Sequence, residues 1–559
     1  MERKAATASN WWDKLGKPQY GGEMVIRSTT NLANFDPYYS DHITQIYTAW
    51  MEKLYAEDWL LDPVIFDYKI LPPAQYLKGH LAESWEFADP NTYIVHLRKG
   101  IHWQNLPPVN GREFTADDVV YHYHRLYGLG SGFTKPAQYH STVTAYRSLL
   151  SVTAVDRYTV VFKWKTPNPE FIMETLVTIH SPTASIEARE AVEKWGDLKD
   201  WHHAIGTGPF ILKDFVSGSS ATLVKNPDYW GYDERYSQNK LPYIDTLKIL
   251  IIPDEEAAMA AMRAGNLDVT DRVSFRQAQA MQKTNPEILQ IGYPDSATSL
   301  DPRNDRPPFN DIRVRKALQL AIDLPTIAKS YYQGSVLPYP CSISSNYMKG
   351  WGFPYNDWPQ DLKDEYAYNP KAAKQLLADA GYPGGFKTNI VAANTADLDL
   401  LKIVKSYFAQ VGIDMEIRLM EPAALIAFTQ NDQKHDQLAY GGSLGSGHEP
   451  LRQLTRFQTG SSGNPQLKVS DPVFDAFYPR ALSATSVDET KRIFRNANEY
   501  VARKHFAISL LQPMRYALYQ PWLKGYSGQF GSISWSPQSL SFYAARFWID
   551  QTLKKSMRH

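Results

Sequence analysis

Strand-like and helix-like segments alternate along residues 385–440, and this alternation is the strongest constraint on the fold. Residues 398–411 carry apolar side chains at helical spacing, whereas residues 414–419 alternate between apolar and charged side chains, as a strand does. A further helix pattern, within residues 369–380, has Pro370 at the first helical position and Gly381 immediately after its last. Because such alternation builds sheets that are covered by helices, this region predicts an α/β lobe.

A β-hairpin is predicted within residues 79–104. Trp85 and Phe87 lie on its first strand, residues 88–91 form a turn, and apolar side chains alternate along the returning strand. We expect Trp85 and Phe87 to be core residues. Elsewhere, periodicity and capping residues predict strands over residues 23–28, 158–164 and 248–252, and helices over residues 114–126, 254–265, 311–322 and 488–504.

The composition excludes several classes of protein. A length of 559 residues is enough for two or three domains with large cores. Lys and Arg together number 59, and so do Asp and Glu. Nucleic acids and anionic membranes select a basic excess, so neither is expected as the main partner, and a local basic patch stays open. The one cysteine, Cys341, allows neither an intrachain disulfide nor a cysteine-based metal site. The longest apolar runs, such as residues 249–253, are far shorter than the roughly 20 residues that span a bilayer.

Residues 1–20 are polar overall and are expected to form a tether that leads into the fold at Gly21 and Gly22. They lack the apolar stretch of a secretory signal peptide. The residues alone leave two interpretations open, a cytosolic protein or a chain from which an export signal has been removed.

One stretch matches a catalytic motif. Residues 441–445 read Gly-Gly-Ser-Leu-Gly, the G-x-S-x-G pattern that places a nucleophilic serine between a strand and a helix. The residues that follow are rich in glycine and end in Glu-Pro, which predicts a loop where the motif requires a helix. A serine hydrolase that uses Ser443 is therefore only a remote alternative, and we expect no catalytic residue.

No metal or cofactor is expected. His122 and His124 are two residues apart on a predicted helix, so they point to different faces and make a poor metal pair. His202 and His203 lie in a predicted loop with no further ligand in view. The sequence also contains no phosphate-binding or dinucleotide-binding motif.

Short motifs in a fixed order carry a family resemblance. They are GHLAESWEF (79–87), FTADDVV (114–120), AIGTGPFIL (204–212), VKNPDYWG (224–231), LPYIDTLKI (241–249) and YNPKAAKQLLADAGYPGG (368–385). Each motif alone has low specificity, but the ordered set closely resembles the family-5 extracellular solute-binding proteins. These are the large peptide/nickel-type receptors of ABC importers. The resemblance covers roughly residues 21–548.

The resemblance implies an α/β, two-lobed periplasmic-binding-protein fold of type II, similar to cluster C. Lobe I would comprise residues 21–290 and 511–559, with an extra domain inserted at about residues 56–170. Lobe II would comprise residues 291–510.

The resemblance also implies the function. A receptor of this family captures a small solute between hinged lobes and delivers it to the permease subunits of an ABC importer, without catalysis. The chain would cross between the lobes near residues 290–296 and 505–512, two strand-like segments that can bend without unfolding. We expect a monomer in the periplasm or at the cell surface. Any membrane attachment would be through a lipid on an N-terminal segment outside this sequence.

In peptide-binding relatives, the loop after the strand matched by residues 435–440 carries an aspartate that binds the ammonium group of the peptide. Matching back from the Glu-Pro pair places Ser446 at that aspartate, Ser443 at a tryptophan and Tyr440 at an arginine. Glu449 is then the carboxylate nearest to this position. Serine offers no charge to pair with a buried ammonium, so this chain departs from the peptide pattern.

Two further segments supply candidate ligand-binding residues. Residues 34–45 match the opening loop of the family, which places Asp41 and His42 where relatives contact the ligand. Residues 344–359 contain five aromatic side chains, among them Tyr347 and Trp351. This loop is interpreted either as a pocket wall that stacks on the ligand or as a surface loop held by its own aromatic side chains.

The class of ligand stays open between two alternatives. One is a peptide, whose amine would be bound by Asp41 or Glu449. The other is a neutral solute such as an oligosaccharide, bound by Tyr440, Ser443, Ser446 and the aromatic loop. The frequency of peptide receptors in the family favours the peptide.

Overall fold

A computed structural model describes residues 10–32, 34–39, 46–64, 76–137, 149–167, 184–295, 297–341, 343, 351–441, 444, 450–461, 463–529 and 540–557. The chain divides into two compact units. Unit 1 comprises Met1–Lys165, Ile172–Gly292 and Tyr516–His559, and unit 2 comprises Thr166–Phe171 and Tyr293–Arg515.

The described residues form five sheets, with the strand orders β12-β18-β11-β1-β10-β9-β8, β15-β14-β16-β13-β17, β4-β5-β7-β6, β2-β3 and β19-β20. The strands are β1 (Glu23–Ser28), β2 (Tyr55–Glu57), β3 (Leu77–Gly79), β4 (Ala82–Asp89), β5 (Thr92–Leu97), β6 (Leu149–Asp156), β7 (Thr159–Trp164), β8 (Phe210–Val216), β9 (Ser220–Lys225), β10 (Thr246–Ile251), β11 (Val269–Ser274), β12 (Leu289–Pro294), β13 (Ser299–Pro302), β14 (Phe386–Ala393), β15 (Ile413–Met420), β16 (Leu438–Gly441), β17 (Ile508–Ser509), β18 (Met514–Tyr519), β19 (Leu523–Lys524) and β20 (Trp548–Ile549).

The helices of the described residues are short to medium in length, and each of them is too short or too polar to span a bilayer. The α-helices are α1 (Ala116–Tyr127), α2 (Arg189–Trp195), α3 (Glu255–Arg263), α4 (Phe275–Thr284), α5 (Ile312–Leu320), α6 (Leu324–Ser330), α7 (Gln360–Asp364), α8 (Pro370–Asp379), α9 (Leu398–Gln410), α10 (Pro422–Ile426), α11 (Pro450–Thr455), α12 (Pro472–Asp475), α13 (Phe477–Leu482), α14 (Val487–Lys504), α15 (Leu540–Arg546) and α16 (Gln551–Met557). Single turns of 3₁₀-helix include Trp11–Leu15, Pro37–Tyr39 and Pro465–Leu467.

The seven-stranded sheet is the core of unit 1. Its central strand β1 pairs in parallel with β10 and β11, and it is buried along nearly its whole length. Parallel strands are joined by crossovers that cover both faces of a sheet, which is why three consecutive apolar residues, Met24, Val25 and Ile26, occupy the middle of β1. At one edge of the sheet, β12 and β18 are neighbours, and they contain the two points where the chain enters and leaves the large segment of unit 2, Tyr293–Arg515.

A four-stranded antiparallel sheet carries α1 against β6 and β7. The side chains of Tyr93, Val95 and Leu97 on β5 are buried, as the alternating pattern predicts. The expectation for β4 was wrong in part, because Phe87 is 38% exposed, whereas Trp85 is half-buried against Tyr55. β4 is an edge strand, and its side chains have a covering neighbour on one side only.

The five-stranded sheet organises unit 2. β14 pairs in parallel with β15 and β16, and β16 pairs antiparallel with β13. Helices α5, α6, α8 and α9 supply the leucines, isoleucines and alanines that form one large apolar core with this sheet. The predicted alternation of strands and helices over residues 385–440 therefore corresponds to β14, α9, β15, α10 and β16.

The N-terminal segment differs from the expected tether over residues 10–20, where it packs on unit 1. The indole of Trp11 donates a hydrogen bond to the Leu60 carbonyl at 3.0 Å. The guanidinium of Arg235 lies between the rings of Trp11 and Trp59, 4.2 Å and 3.5 Å from their centroids. Two tryptophans bind an arginine through cation–π attraction, which composition alone did not reveal.

Unit 1 contains a buried network of four ionisable side chains, Asp36, Arg125, Glu187 and His122. Arg125 on α1 binds both carboxylate oxygens of Asp36 at 2.8 Å and one oxygen of Glu187 at 3.2 Å. His122, one turn earlier, hydrogen-bonds the other oxygen of Glu187. Burial opposes the charge on Glu187, but the charges of His122 and Arg125 outweigh it and lower its pKa to about 2.

Substitution of Arg125 by Met should lower the free energy of unfolding by about 3–5 kcal/mol, because two buried carboxylates would lose their cation. The matched control is Arg189→Met. Arg189 forms an exposed pair with Glu193, and its loss should cost under about 1 kcal/mol. Urea denaturation followed by circular dichroism measures both values. Equal losses at the two positions would show that the buried network does not stabilise unit 1.

Glu57 is a second buried acid in unit 1. One of its oxygens accepts a hydrogen bond from the Tyr543 hydroxyl, and the other has no partner among the described residues. Burial raises the pKa of Glu57 to about 8, although the hydrogen bond from Tyr543 opposes the rise. The folded chain therefore keeps this carboxyl protonated at neutral pH.

Glu57→Gln should flatten the pH dependence of stability between about pH 4.5 and 8. In this window the unfolded carboxyl has lost its proton and the folded one has kept it, so wild-type stability falls as the pH rises. The fall should exceed that of the variant by up to about 5 kcal/mol. Urea unfolding of both proteins at several pH values measures the difference, and parallel curves would contradict a protonated Glu57.

Candidate functional site

The carboxyl ends of β14, β15 and β16 lie at one edge of the five-stranded sheet, because these strands run parallel. Tyr440 lies at this edge, one residue before the end of β16 and opposite Leu300 of β13. Ligands of open α/β sheets bind beyond the carboxyl ends of the strands. This edge is therefore the candidate site of unit 2.

A carboxylate and two further tyrosines surround Tyr440. Asp397 follows β14 and caps α9, where it accepts the backbone N–H of Leu400 at 3.1 Å. The Tyr331 hydroxyl donates to the same carboxylate at 2.6 Å. The rings of Tyr331 and Tyr332, at the end of α6, are 4.9 Å apart at a steep angle. We call these four residues, Asp397, Tyr331, Tyr332 and Tyr440, the tyrosine cluster.

Polar groups from the chain-crossing segments border the tyrosine cluster. The phenol of Tyr440 and the hydroxyl of Thr298 share a hydrogen bond, and Thr298 in turn donates to the Leu511 carbonyl at 2.9 Å. Arg515 donates from Nε to Asp295 at 2.7 Å, and the charge of Arg515 acts on Tyr440 and Tyr332. The cluster thus lies next to the residues at which the chain leaves and re-enters unit 2.

The electrostatics keep the three phenols neutral. Burial raises the pKa of Tyr440 well above its ordinary value, and the negative charge of Asp397 adds to the rise. Burial and Asp397 raise the pKa of Tyr331 and Tyr332 in the same way. Such phenols donate hydrogen bonds and offer ring faces, so the arrangement is suited to holding a ligand by polar and stacking contacts.

In unit 1, the segment that leads to Asp41 and His42 is held by the buried network. Asp36 accepts the backbone N–H groups of Tyr38 and Leu198 at 2.9 and 2.8 Å, in addition to Arg125. The side chain of Asn34 binds the backbone of Asp36 and Tyr39 at 2.9 and 3.0 Å. Residues 34–39 therefore have a defined path up to the point where the candidate ligand residues begin.

Of the predicted ligand-binding residues, the structure describes Tyr440 and Trp351. The others, Asp41, His42, Tyr347, Ser443, Ser446 and Glu449, lie outside the described residues. The remote catalytic alternative at Ser443 lies outside them as well. The roles assigned to the residues outside the described ranges stay predictions.

The described part of the aromatic loop packs against helices of unit 2. Trp351 contacts Phe494 of α14, with their ring centroids 5.9 Å apart, and Lys491 lies over its ring. Phe353 and Trp358 are 5% and 3% exposed and form a small core with residues of α7 and α14. This packing favours the alternative in which the loop is held by its own aromatic side chains.

The histidines considered as metal ligands have other partners. His122 pairs with Glu187, and His124 binds Ser131 and the Val152 carbonyl at 3.0 Å each. His202 pairs with Asp200, and His203 stacks on Trp195. Within the described ranges, no group of three or more His, Cys, Asp or Glu side chains is arranged to hold a metal ion.

The fold matches that of periplasmic binding proteins. The structure of DppA from Helicobacter pylori, solved in complex with the peptide STSA, superposes with a TM-score of 0.72 at 22% identity. The match covers 95% of this chain and 99% of that one. The predicted fold class, a two-lobed α/β periplasmic-binding-protein fold, is thereby confirmed.

Sequence comparison then identifies the family. Residues 77–464 match the model of the bacterial extracellular solute-binding proteins, family 5, middle region. The chain belongs to this family, as the ordered motifs predicted. It is 28% identical to heme-binding protein A of Haemophilus influenzae, over 80% of this chain and 81% of that protein. It is 26% identical to the periplasmic oligopeptide-binding protein OppA of Escherichia coli, over 81% and 83% of the two chains.

Several residues of the tyrosine cluster were missed by the sequence analysis. Tyr331, Tyr332 and Asp397 come from segments more than 60 residues apart, and no local motif links them. The available signal was the position of Asp397 between β14 and α9, where the carboxyl ends of parallel strands collect ligand-binding residues. The local sequence around Asp397, by contrast, predicts only a helix cap.

Asp397→Ala should lower the free energy of unfolding by about 1–2 kcal/mol, because α9 would lose its cap and Tyr331 its acceptor. Asp399→Ala, two residues further on, is the matched control. Asp399 is exposed and pairs only with Lys402 in the described structure, so its loss should change stability by under about 0.5 kcal/mol. Chemical denaturation compares the two, and a smaller loss at Asp397 than at Asp399 would contradict the role of Asp397.

Proposed function

We propose that this protein captures a peptide or peptide-like solute outside the cytoplasm and delivers it to the permease of an ABC importer. Membership in the solute-binding family is the observation that carries this proposal. The names of two similar proteins support the ligand class, since OppA binds oligopeptides and DppA was solved with a bound peptide. Capture of a neutral oligosaccharide is the alternative, because Ser446 stands where peptide receptors carry an aspartate.

The proposed mechanism is closure of two lobes around the solute. The two compact units, joined by chain crossings in β12 and β18, support the assignment of unit 1 to lobe I and unit 2 to lobe II. Two crossings within strands allow rotation while each core stays packed. A solute that contacts both lobes favours the closed state by its difference in affinity for the two states.

The proposed role of the tyrosine cluster is to hold the solute on unit 2. Neutral phenols and the carboxylate of Asp397 can bind an ammonium, an amide or a hydroxyl without chemical change. On unit 1, we assign cation capture to Asp41, with His42 as a neighbour in the same loop. Water is expelled on closure, which strengthens each polar contact.

Mass spectrometry of the solute retained through mild purification tests the ligand class directly. A panel of peptides, oligosaccharides and heme in a thermal-shift assay provides the second measurement. A cognate ligand at about 100 times its dissociation constant should stabilise the chain by about 2.7 kcal/mol. A response to oligosaccharides alone would overturn the peptide proposal, and turnover of generic esters that is lost in Ser443→Ala would overturn the receptor proposal.

Tyr440→Phe should weaken binding of the identified solute by about three- to tenfold, because one hydrogen bond to a neutral group would be lost. The matched control is Tyr368→Phe. The Tyr368 hydroxyl binds Gln410 at 3.0 Å, on the exposed surface of unit 2. Isothermal titration calorimetry measures both affinities, and equal affinities of the two variants would remove Tyr440 from the site.

Asp41→Ala should weaken a cationic solute by at least about tenfold and a neutral solute by less than about twofold, because only a cation requires the charge. The same titration with one cationic and one neutral ligand of similar size makes the comparison. If the affinity for the cationic ligand is unchanged, another residue binds the cation, and Glu449 is the first candidate to test.

A further inference from the structure

Unit 2 contains a polar cavity of about 230 Å³ that the proposed solute site does not use. The loop of residues 456–470 forms most of its wall, and Asp305 and Gln433 complete it. The side chains that line it are chiefly hydrogen-bond donors or amides, namely Gln433, Arg456, Gln458, Ser461, Asn464 and Lys468.

Two cations define the electrostatics of this cavity. The Lys468 ammonium donates to the Gln433 side-chain oxygen and forms no ion pair with any carboxylate of the described residues. Arg456 donates from Nη2 to the side-chain oxygen of Asn464 at 2.9 Å. The one carboxylate among the described lining residues, Asp305, is bound by Nε and Nη2 of Arg303 at 2.7 Å each. Its charge is thereby compensated, and Lys468 adds a positive charge to the lining.

A buried donor at the cavity, the side-chain amide of Asn464, has no acceptor in the part of the chain that the structure describes. Asn464 is 3% exposed, and its side-chain oxygen is taken by Arg456. Its Nδ2 is buried without a hydrogen-bond partner among the described residues. Buried N–H groups are almost always paired in folded proteins, so an orphaned amide beside a cavity indicates an acceptor that occupies the cavity.

The backbone at the cavity is strained at two positions. Gln433 and Lys468 are held at φ values of 53° and 50°, a left-handed conformation that is unfavourable for residues other than glycine. Their side chains hydrogen-bond each other, and the Gln433 carbonyl accepts from Arg303 at 3.0 Å. Strain of this kind is retained where the surrounding structure requires one geometry, and it is frequent at ligand sites.

We propose that the cavity formed by Gln433, Arg456, Asn464 and Lys468 binds a small oxyanion, a phosphate or carboxylate group. Arginine binds such groups through two parallel N–H donors, lysine contributes a point charge, and the amide of Asn464 supplies a neutral donor. None of these four residues belongs to the tyrosine cluster. Anion binding is therefore independent of the solute and of its identity.

The test is titration of the full-length chain with inorganic phosphate and, separately, with acetate, by calorimetry at low ionic strength. Sodium chloride at matched ionic strength corrects for screening. Lys468→Gln should weaken binding by about tenfold or more, since the charge is lost while a donor to Gln433 is kept. Lys434→Gln is the matched control, because Lys434 is an exposed lysine that pairs with Asp432 at 2.8 Å outside the cavity.

Binding of phosphate, acetate or both, with the loss confined to Lys468→Gln, supports the proposal, and the stronger anion identifies the occupant. The proposal is overturned if phosphate and acetate release no more heat than sodium chloride does. It is also overturned if Lys434→Gln weakens anion binding as much as Lys468→Gln. Arg456→Gln is a second test and should also weaken anion binding. Its melting temperature is measured first, to show that the variant is folded. Solute affinity measured on Lys468→Gln should stay unchanged, so failure here and failure of the proposed function are distinguished.

Discussion

Parallel strand pairing is the constraint on which the rest of this structure depends. β1 pairs in parallel with its neighbours in unit 1, and β14 does so in unit 2. Parallel strands need crossovers that return over the sheet, so both faces become covered and apolar. Ligands of such sheets bind beyond the carboxyl ends of the strands. The tyrosine cluster lies at such an end, and its carboxylate is supplied by Asp397, the N-terminal cap of the helix that follows β14.

Several charged side chains in these cores pair with a side chain of opposite charge. Arg125 joins two carboxylates from distant segments, Arg546 binds Glu234 at 2.6 Å, and Lys554 binds Asp268 at 2.8 Å. Each pair costs desolvation and adds little net stability against an apolar equivalent. These pairs fix the positions of the segments that they join, because a buried charge that loses its partner strongly destabilises the fold. Through Asp36, this requirement holds residues 34–39 in place, immediately before the predicted ligand residues.

Helix boundaries were predicted well where capping residues mark them. Asp254 and Asn369 cap the helices that follow them, and α14 begins after Ser486, close to the predicted start. The hairpin of β4 and β5 was predicted, but the exposure of Phe87 was not, because periodicity cannot tell an edge strand from a central one. The packing of residues 10–20 was also missed. It depends on Arg235, which lies more than 200 positions away in the chain.

The sequence by itself determined the family, the α/β class and the order of elements, because these follow from local periodicity, capping and ordered motifs. It also excluded an intrachain disulfide and a net basic charge. The tertiary structure alone decided which distant residues meet: Tyr331 with Asp397, Arg125 with Asp36, and Lys468 with Gln433. The physical reason is that burial, pKa and hydrogen bonding depend on contacts between segments far apart in the chain. No local pattern encodes such contacts.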